Sequence, residues 1–184
     1  MPKLYIIAGP NGAGKTTASS EILSEMKCKE FVNADSIASG LSAFNYDEVA
    51  FQAGRIMLGR IKALAAKQID FAFETTLSSR SFLPFIRDCR KIGYETILFY
   101  FYIHSVEVSI KRVAGRVEKG GHDIPRETIR RRFPRSLHNL INLYLPSVDK
   151  WIIFDNTFEV PSIIAENKRI FDKDNWSKIL AYKE

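Results

Sequence analysis

Short apolar runs alternate with amphipathic stretches along this chain, the pattern of a parallel sheet whose strands are joined by helices. Lys3 to Ala8 (KLYIIA) predicts a strand that ends in glycine, and Ala18, Ile22 and Met26, spaced by four, predict a helix from about Lys15 to Met26. Phe31 to Asn33 predicts a second strand. Asn45 followed three residues later by Glu48 resembles a capping box, and Val49, Ala53, Ile56, Met57 and Leu64 continue a long helix to about Lys67. Ile69 to Glu74 (IDFAFE) predicts a third strand, and Ser81 to Lys91 a helix with Pro84 in its first turn, ended by Gly93. Thr96 to Ile103 (TILFYFYI) is apolar on both faces, which places it centrally in the sheet. Ser105 to about Glu118 reads as a helix. Gly120 and Gly121 break it, Pro125 restarts a basic helix, and a further helix over about Pro134 to Leu145 carries Leu137, Leu140, Ile141 and Tyr144 on one face. Trp151 to Asp155 (WIIFD) predicts a fifth strand, with a short strand near Ile163 and Ile164 and a last helix near Trp176 covering an edge.

A length of 184 residues suits one domain, residues 1–184, with a core large enough to need neither disulfides nor metals. Hydrophobic residues at 46% and charged residues at 26% exclude a disordered or collagen-like chain. The longest apolar run, Ile97 to Ile103, is far short of the ~20 residues of a membrane span, so no membrane association is expected. The N-terminus has no signal-peptide core, and Cys28 and Cys89 match no metal-ligand spacing. Two isolated thiols read as buried residues of a reducing compartment, which predicts the cytoplasm. The net charge of +6 is concentrated between Lys111 and Arg135, a cluster suited to a polyphosphate or to nucleic acid.

Gly9 to Thr16 spells GPNGAGKT, which meets G-x-x-x-x-G-K-[ST] at every fixed position, between an apolar strand and a helix. In such a loop the backbone N–H groups wrap a phosphate and the following helix adds its positive end. Gly9, Pro10, Asn11, Gly12, Ala13, Gly14, Lys15, Thr16 and Thr17 are therefore the candidate nucleotide site. Lys15 reaches the β- and γ-phosphates and the Thr16 hydroxyl ligates Mg²⁺. No Asn-Lys-x-Asp guanine-reading motif is present, since Asn167-Lys168 continues with Arg169 and Ile170. Asp155 is followed by Asn156 where a motor-type ATPase has a catalytic Glu, so Asp155 reads as an ordinary strand-end residue.

Asp35 follows the second strand and Glu74 closes the third, so both carboxylates belong on the rim that carries the glycine loop. Phosphoryl transfer to a hydroxyl needs a proton acceptor, which Asp35 suits, and a carboxylate near the metal, which Glu74 suits through bound water. The alternative for Asp35 is the N-cap of a short helix at Ser36 to Ala38. Arg112 and Arg116 are four residues apart and share a helical face. With Arg130, Arg131 and Arg132 beyond the Gly120-Gly121 hinge, they predict a lid over about 112–135 that closes on the phosphates, with His122 inside it. Arg112 is assigned to the nucleotide. The competing reading is a solvated basic face or an RNA-binding surface. The aromatics lie mostly in apolar strands such as FYFYI and are not interleaved with arginine, which disfavours nucleic acid as a partner.

AGPNGAGKTT, FVNADSIASGLS, FAFETTLSS and RVEKGGHDIPRETIRRRF, in this order, resemble the zeta toxin family, over about Lys3 to Asn156. The resemblance implies an α/β P-loop kinase fold, a parallel sheet of about five strands flanked by helices with an Arg-rich helical lid, acting with ATP and Mg²⁺. It implies phosphorylation of a small-molecule hydroxyl, which in studied zeta toxins belongs to the sugar of UDP-N-acetylglucosamine, a nucleotide sugar. By this likeness Lys15 and Thr16 hold phosphate and metal, Asp35 accepts the proton, and Glu74, Thr75 and Thr76 line the acceptor side with His122. Arg116 and one of Arg130 to Arg132, assigned to Arg131, contact the transferring phosphate. An antitoxin protein is the partner such a chain is expected to have. Two features depart from the toxins: SIASG follows Asp35 where they tend to carry an arginine, and no segment stands out as antitoxin-binding.

Overall fold

The computed structural model describes residues 1–42 and 46–184; the Asn45–Glu48 capping box lies outside the described residues. A seven-stranded sheet runs in the order β2-β3-β1-β4-β5-β6-β7. β1 (Lys3–Ala8), β2 (Phe31–Val32), β3 (Phe71–Thr75), β4 (Glu95–Tyr102) and β5 (Lys150–Asp155) pair in parallel, the five strands that the apolar runs predict. β6 (Ser162–Glu166) and β7 (Arg169–Ile170) add an antiparallel hairpin to the β5 edge, so the sheet is larger than five strands. β4 is the middle strand, and Leu98 to Ile103 are buried, as a run that is apolar on both faces requires.

The helices are α1 (Lys15–Glu25), α2 (Ala34–Leu41), α3 (Tyr46–Ala66), α4 (Leu83–Lys91), α5 (Val106–Glu118), α6 (Arg126–Asn139) and α7 (Lys173–Leu180). α1 is rotated from the expected face: Lys15, Ser19 and Leu23 are buried and Met26 is exposed. The glycine loop directs Lys15 inward, and the residues one and two turns later follow it. On α3, Ala53, Met57, Ile61 and Leu64 are buried at i, i+4 and i+3 spacing, while Ile56 lies outside the stripe.

Pro134 does not begin a new helix. It sits inside α6, which continues through a π-helical turn at Leu140–Tyr144 and a 3₁₀ turn at Leu145–Ser147. An interior proline costs about 3 kcal/mol. Burial of Ile129, Phe133, Leu137 and Leu140, each worth about 1.5–3 kcal/mol, offsets it. Trp176 of α7 stacks on Trp151 of β5, with ring centroids 5.8 Å apart and planes within 8°. Cys28 and Cys89 are buried and free. Among the described residues no helix is long and apolar enough to cross a membrane.

Candidate active site

β1 lies between β3 and β4, so at its C-terminal end the connections diverge to opposite halves of the sheet and leave the crevice where such sheets bind ligands. The glycine loop leaves β1 at this point and α1 begins at Lys15. Gly12 and Gly14 hold φ values of 72° and 77°, in the left-handed region. Both are also approached from behind: a Cβ on Gly12 would lie 2.9 Å from the Ser109 carbonyl oxygen, and one on Gly14 2.5 Å from Asn156 Nδ2.

Lys15 is 7% exposed; its Nζ donates to the Pro10 carbonyl at 3.0 Å and lies 3.6 Å from Glu74 Oε1. Thr16 Oγ1 donates to Glu74 Oε2 at 2.9 Å, and Asn33 Nδ2 donates to the same oxygen at 2.8 Å. Sheet register brings these groups together, because Glu74 stands opposite Ile7 and Thr75 opposite Ala8, the last residue before the loop. Glu74 is the penultimate residue of β3, one short of the strand end expected for it. A nearly buried carboxylate must be paired, and here an ammonium, a hydroxyl and an amide share the task.

Asn33 was not foreseen as part of the site. Its Oδ1 accepts from the Asp35 and Ser36 amides at 2.7 and 3.3 Å, capping α2, while its Nδ2 reaches Glu74. The cap is therefore Asn33 and not Asp35, which corrects the capping alternative: Asp35 lies within the first turn of a helix longer than expected. The available signal was an Asn directly before an apolar-periodic segment.

A cleft of about 900 Å³ is lined by Asn11, Gly12, Gly14, Lys15, Thr16 and Thr17, by Asp35, by Glu74, Thr75 and Thr76, and by Arg112, Arg116, His122, Arg131 and Arg132. Gly9, Pro10 and Ala13 are buried behind this surface. Arg130 is turned away and pairs with Glu107 at 3.3 Å, which leaves Arg131 and Arg132 as the members of that run at the cleft. The Arg112 guanidinium donates to the carbonyls of Gly12, Asn156 and Thr157 at 3.3, 2.8 and 2.8 Å. Arg116 Nη2 donates to the His122 carbonyl at 2.8 Å. The Gly120-Gly121 pair closes α5 by hydrogen bonds from Gly120 N to Val117 O and from Gly121 N to Arg116 O, a Schellman cap. Sequence reasoning also missed Phe51, Arg55, Ser78, Ser79, Ser81 and Phe82, which line the same cleft.

The residues fit a magnesium nucleotide. Asn11 Oδ1 is a buried side-chain oxygen at the loop with no partner among the described residues, so it has an acceptor to offer. No group of three or more His, Cys, Asp or Glu forms a metal cage among the described residues. Mg²⁺ held with phosphates needs few protein ligands, and a threonine hydroxyl touching a carboxylate is a suitable pair.

A mostly parallel sheet with the glycine loop at its central crevice defines a P-loop kinase fold. The zeta toxin family model matches residues 1–160, and the chain belongs to that family. An uncharacterized protein of Haemophilus influenzae (strain ATCC 51907 / DSM 11121 / KW20 / Rd) is 28% identical over 131 residues, 71% of this chain and 92% of that one. The crystal structure of AvrRxo1-ORF1:-ORF2 with ATP is similar at a TM-score of 0.76 and 18% identity, covering 97% of this chain and 63% of that chain. The PezAT chromosomal toxin–antitoxin system of the human pathogen Streptococcus pneumoniae is similar at a TM-score of 0.67 and 16% identity, covering 100% of this chain and 78% of that chain. The chain thus spans 63% of the AvrRxo1 chain's length.

Proposed function

We propose that the protein is an ATP-dependent kinase that transfers the γ-phosphoryl group to a hydroxyl of a small molecule. The observation that carries this reading is the convergence of Lys15, Thr16, Asp35 and Glu74 with Arg116 and Arg131 on one cleft. In it, Lys15 and the loop amides hold the phosphates, and Thr16 with Glu74, through water, would hold Mg²⁺. Bound Mg²⁺ supplies neutralisation of charge on the phosphate oxygens. Asp35 accepts the proton of the acceptor hydroxyl as its oxygen bonds to phosphorus and the bond to the ADP oxygen breaks. Arg116 and Arg131 offset the charge that develops on the transferred group. Thr75, Thr76 and His122 contact the acceptor, and residues about 112–135 act as a lid.

Family membership favours a nucleotide sugar, UDP-N-acetylglucosamine, as the acceptor, in the cytoplasm, with an antitoxin protein as partner. Phe51, Phe82 and Arg55 line the same cleft as Asp35, and aromatic rings and a guanidinium are groups that suit a base and a diphosphate. Incubation with γ-labelled ATP, Mg²⁺ and a metabolite extract tests the reading. A labelled, phosphorylated small molecule is expected, and UDP-N-acetylglucosamine added alone should be labelled. Label on water only, with every hydroxyl compound, would contradict it.

A further inference from the structure

The carbonyl side of the glycine loop is held as closely as its phosphate side is left open. Three consecutive carbonyl oxygens, of Asn11, Gly12 and Ala13, each accept from a side chain distant in sequence. Ser109 Oγ donates to Asn11 O at 2.5 Å, Arg112 Nη1 to Gly12 O at 3.3 Å, and Asn156 Nδ2 to Ala13 O at 2.6 Å. Ser109 and Arg112 are three residues apart on one face of α5, and Ser109 is fully buried. Asn156 follows β5 and is itself fixed, its amide donating to the Tyr102 carbonyl at 2.8 Å and its carbonyl accepting from Arg112. The same guanidinium reaches the Thr157 carbonyl, so one side chain ties the loop to the turn after β5.

In a planar peptide the C=O of one residue and the N–H of the next point in opposite directions. Ser109 and Asn156 do not line the cleft, so anchoring the Asn11 and Ala13 carbonyls on them aims the following amides, at Gly12 and Gly14, toward it. Ala13 N instead closes a turn on the Pro10 carbonyl at 3.2 Å. The close approach of Ser109 and Asn156 is also what leaves no room for a Cβ on Gly12 or Gly14.

We propose that Ser109, Arg112 and Asn156 are positioning residues that preorganise the glycine loop for a polyphosphate by holding its carbonyls from behind. Arg112 acts through its bridge across three carbonyls and not through its charge on the nucleotide. The proposal rests on the reading of the loop as a triphosphate site. It also makes α5, which carries Arg116 one turn beyond Arg112, a rigid extension of the loop.

The test is calorimetric titration of the full chain with inorganic tripolyphosphate and with ATP, each with Mg²⁺, at fixed ionic strength. Asn156→Ala, which removes one anchor, should weaken both ligands about tenfold, the worth of one well-placed hydrogen bond, while the melting temperature stays within a few degrees. Arg112→Lys keeps the charge but cannot bridge three carbonyls, so it should weaken both ligands as much as Arg112→Met does. Should either variant fail to melt cooperatively, Ser109→Ala removes a single hydroxyl and should show the same affinity loss. Folded Asn156→Ala and Ser109→Ala proteins that bind tripolyphosphate like the wild type would overturn the proposal, as would an Arg112→Lys protein that keeps full affinity when Arg112→Met loses it. A wild type that binds neither ligand would remove the triphosphate reading itself and the proposal with it.

Discussion

Thr16 Oγ1 donates a 2.9 Å hydrogen bond to Glu74 Oε2 across 58 residues of sequence. The hydroxyl and the carboxylate proposed to hold the metal are thus in direct contact with each other. Lys15 faces the other oxygen of Glu74, so the polar groups of the loop and of β3 form one connected set.

Lys15→Ala removes the ammonium from that set but leaves Glu74 the Thr16 and Asn33 donors. The variant should fold, and its transfer should fall by at least about a hundredfold, the usual cost of removing a group that stabilises developing charge. Turnover and thermal melting, measured together, check this. Unchanged turnover would remove the loop from the reaction.

Asn33 has two duties, and two substitutions separate them. Asn33→Asp still caps α2, since Asp caps about as well as Asn, but it sets a second carboxylate against Glu74 where an amide donor stood. Two carboxylates in contact raise the affinity of one of them for a proton. The variant should therefore be closest to wild-type stability at acidic pH and lose stability as the pH rises through that raised value. Asn33→Ala loses both the cap, about 1 kcal/mol, and the donor to Glu74, but it brings in no second charge, so its pH dependence should be weaker than that of Asn33→Asp. Urea unfolding across pH distinguishes them.

The glycine loop and the carboxylates of Asp35 and Glu74, near the ends of the second and third apolar runs, were legible because each is a local pattern: apolar runs set the strands, and β1 and β3 pair in the register that brings Glu74 beside the loop. Asn33, Ser109 and Asn156 were not legible. Each acts on a partner 41 to 143 residues away, and an isolated Asn or Ser carries no periodic signal. Pro134 misled for a related reason, since a helix break is a local rule and the burial of Phe133 and Leu137 that overrides it is tertiary. The Gly120-Gly121 break was visible, but its hydrogen-bonded cap on α5 was not.

Asp149 joins α4 to the sheet. It accepts from the Thr96 amide and hydroxyl at 2.9 and 2.7 Å and from Arg90 Nε at 3.0 Å. Burial alone would raise its carboxyl, but the Thr96 hydrogen bonds and the Arg90 guanidinium hold it below its usual value of 3.8. A depressed carboxylate contributes stability that is complete above its unfolded pKa and is lost as pH falls through the folded one. Asp149→Asn should be less stable than wild type at neutral pH, and the gap should narrow in acid. A gap that is the same at both ends of the titration would contradict this.

The side chains of Arg131 and Arg132 line the cleft with no hydrogen bond or ion pair among the described residues, and Arg116 lines it too, with its guanidinium on the His122 carbonyl. Neighbouring cations repel until an anion lies between them. Amide hydrogen exchange over 119–125 should slow when ATP, Mg²⁺ and an acceptor are added together. Equal exchange in both states would count against a lid.

The central claim, transfer to a hydroxyl with Asp35 as proton acceptor, is tested most directly by the rate of phosphoryl transfer from γ-labelled ATP to the acceptor in wild type and Asp35→Asn. Asn is the size of Asp, and α2 keeps its cap on Asn33, so the variant should still fold. The account predicts unchanged ATP affinity and a transfer rate lower by roughly 10²- to 10⁴-fold, the worth of a positioned general base. Full transfer by Asp35→Asn would contradict it.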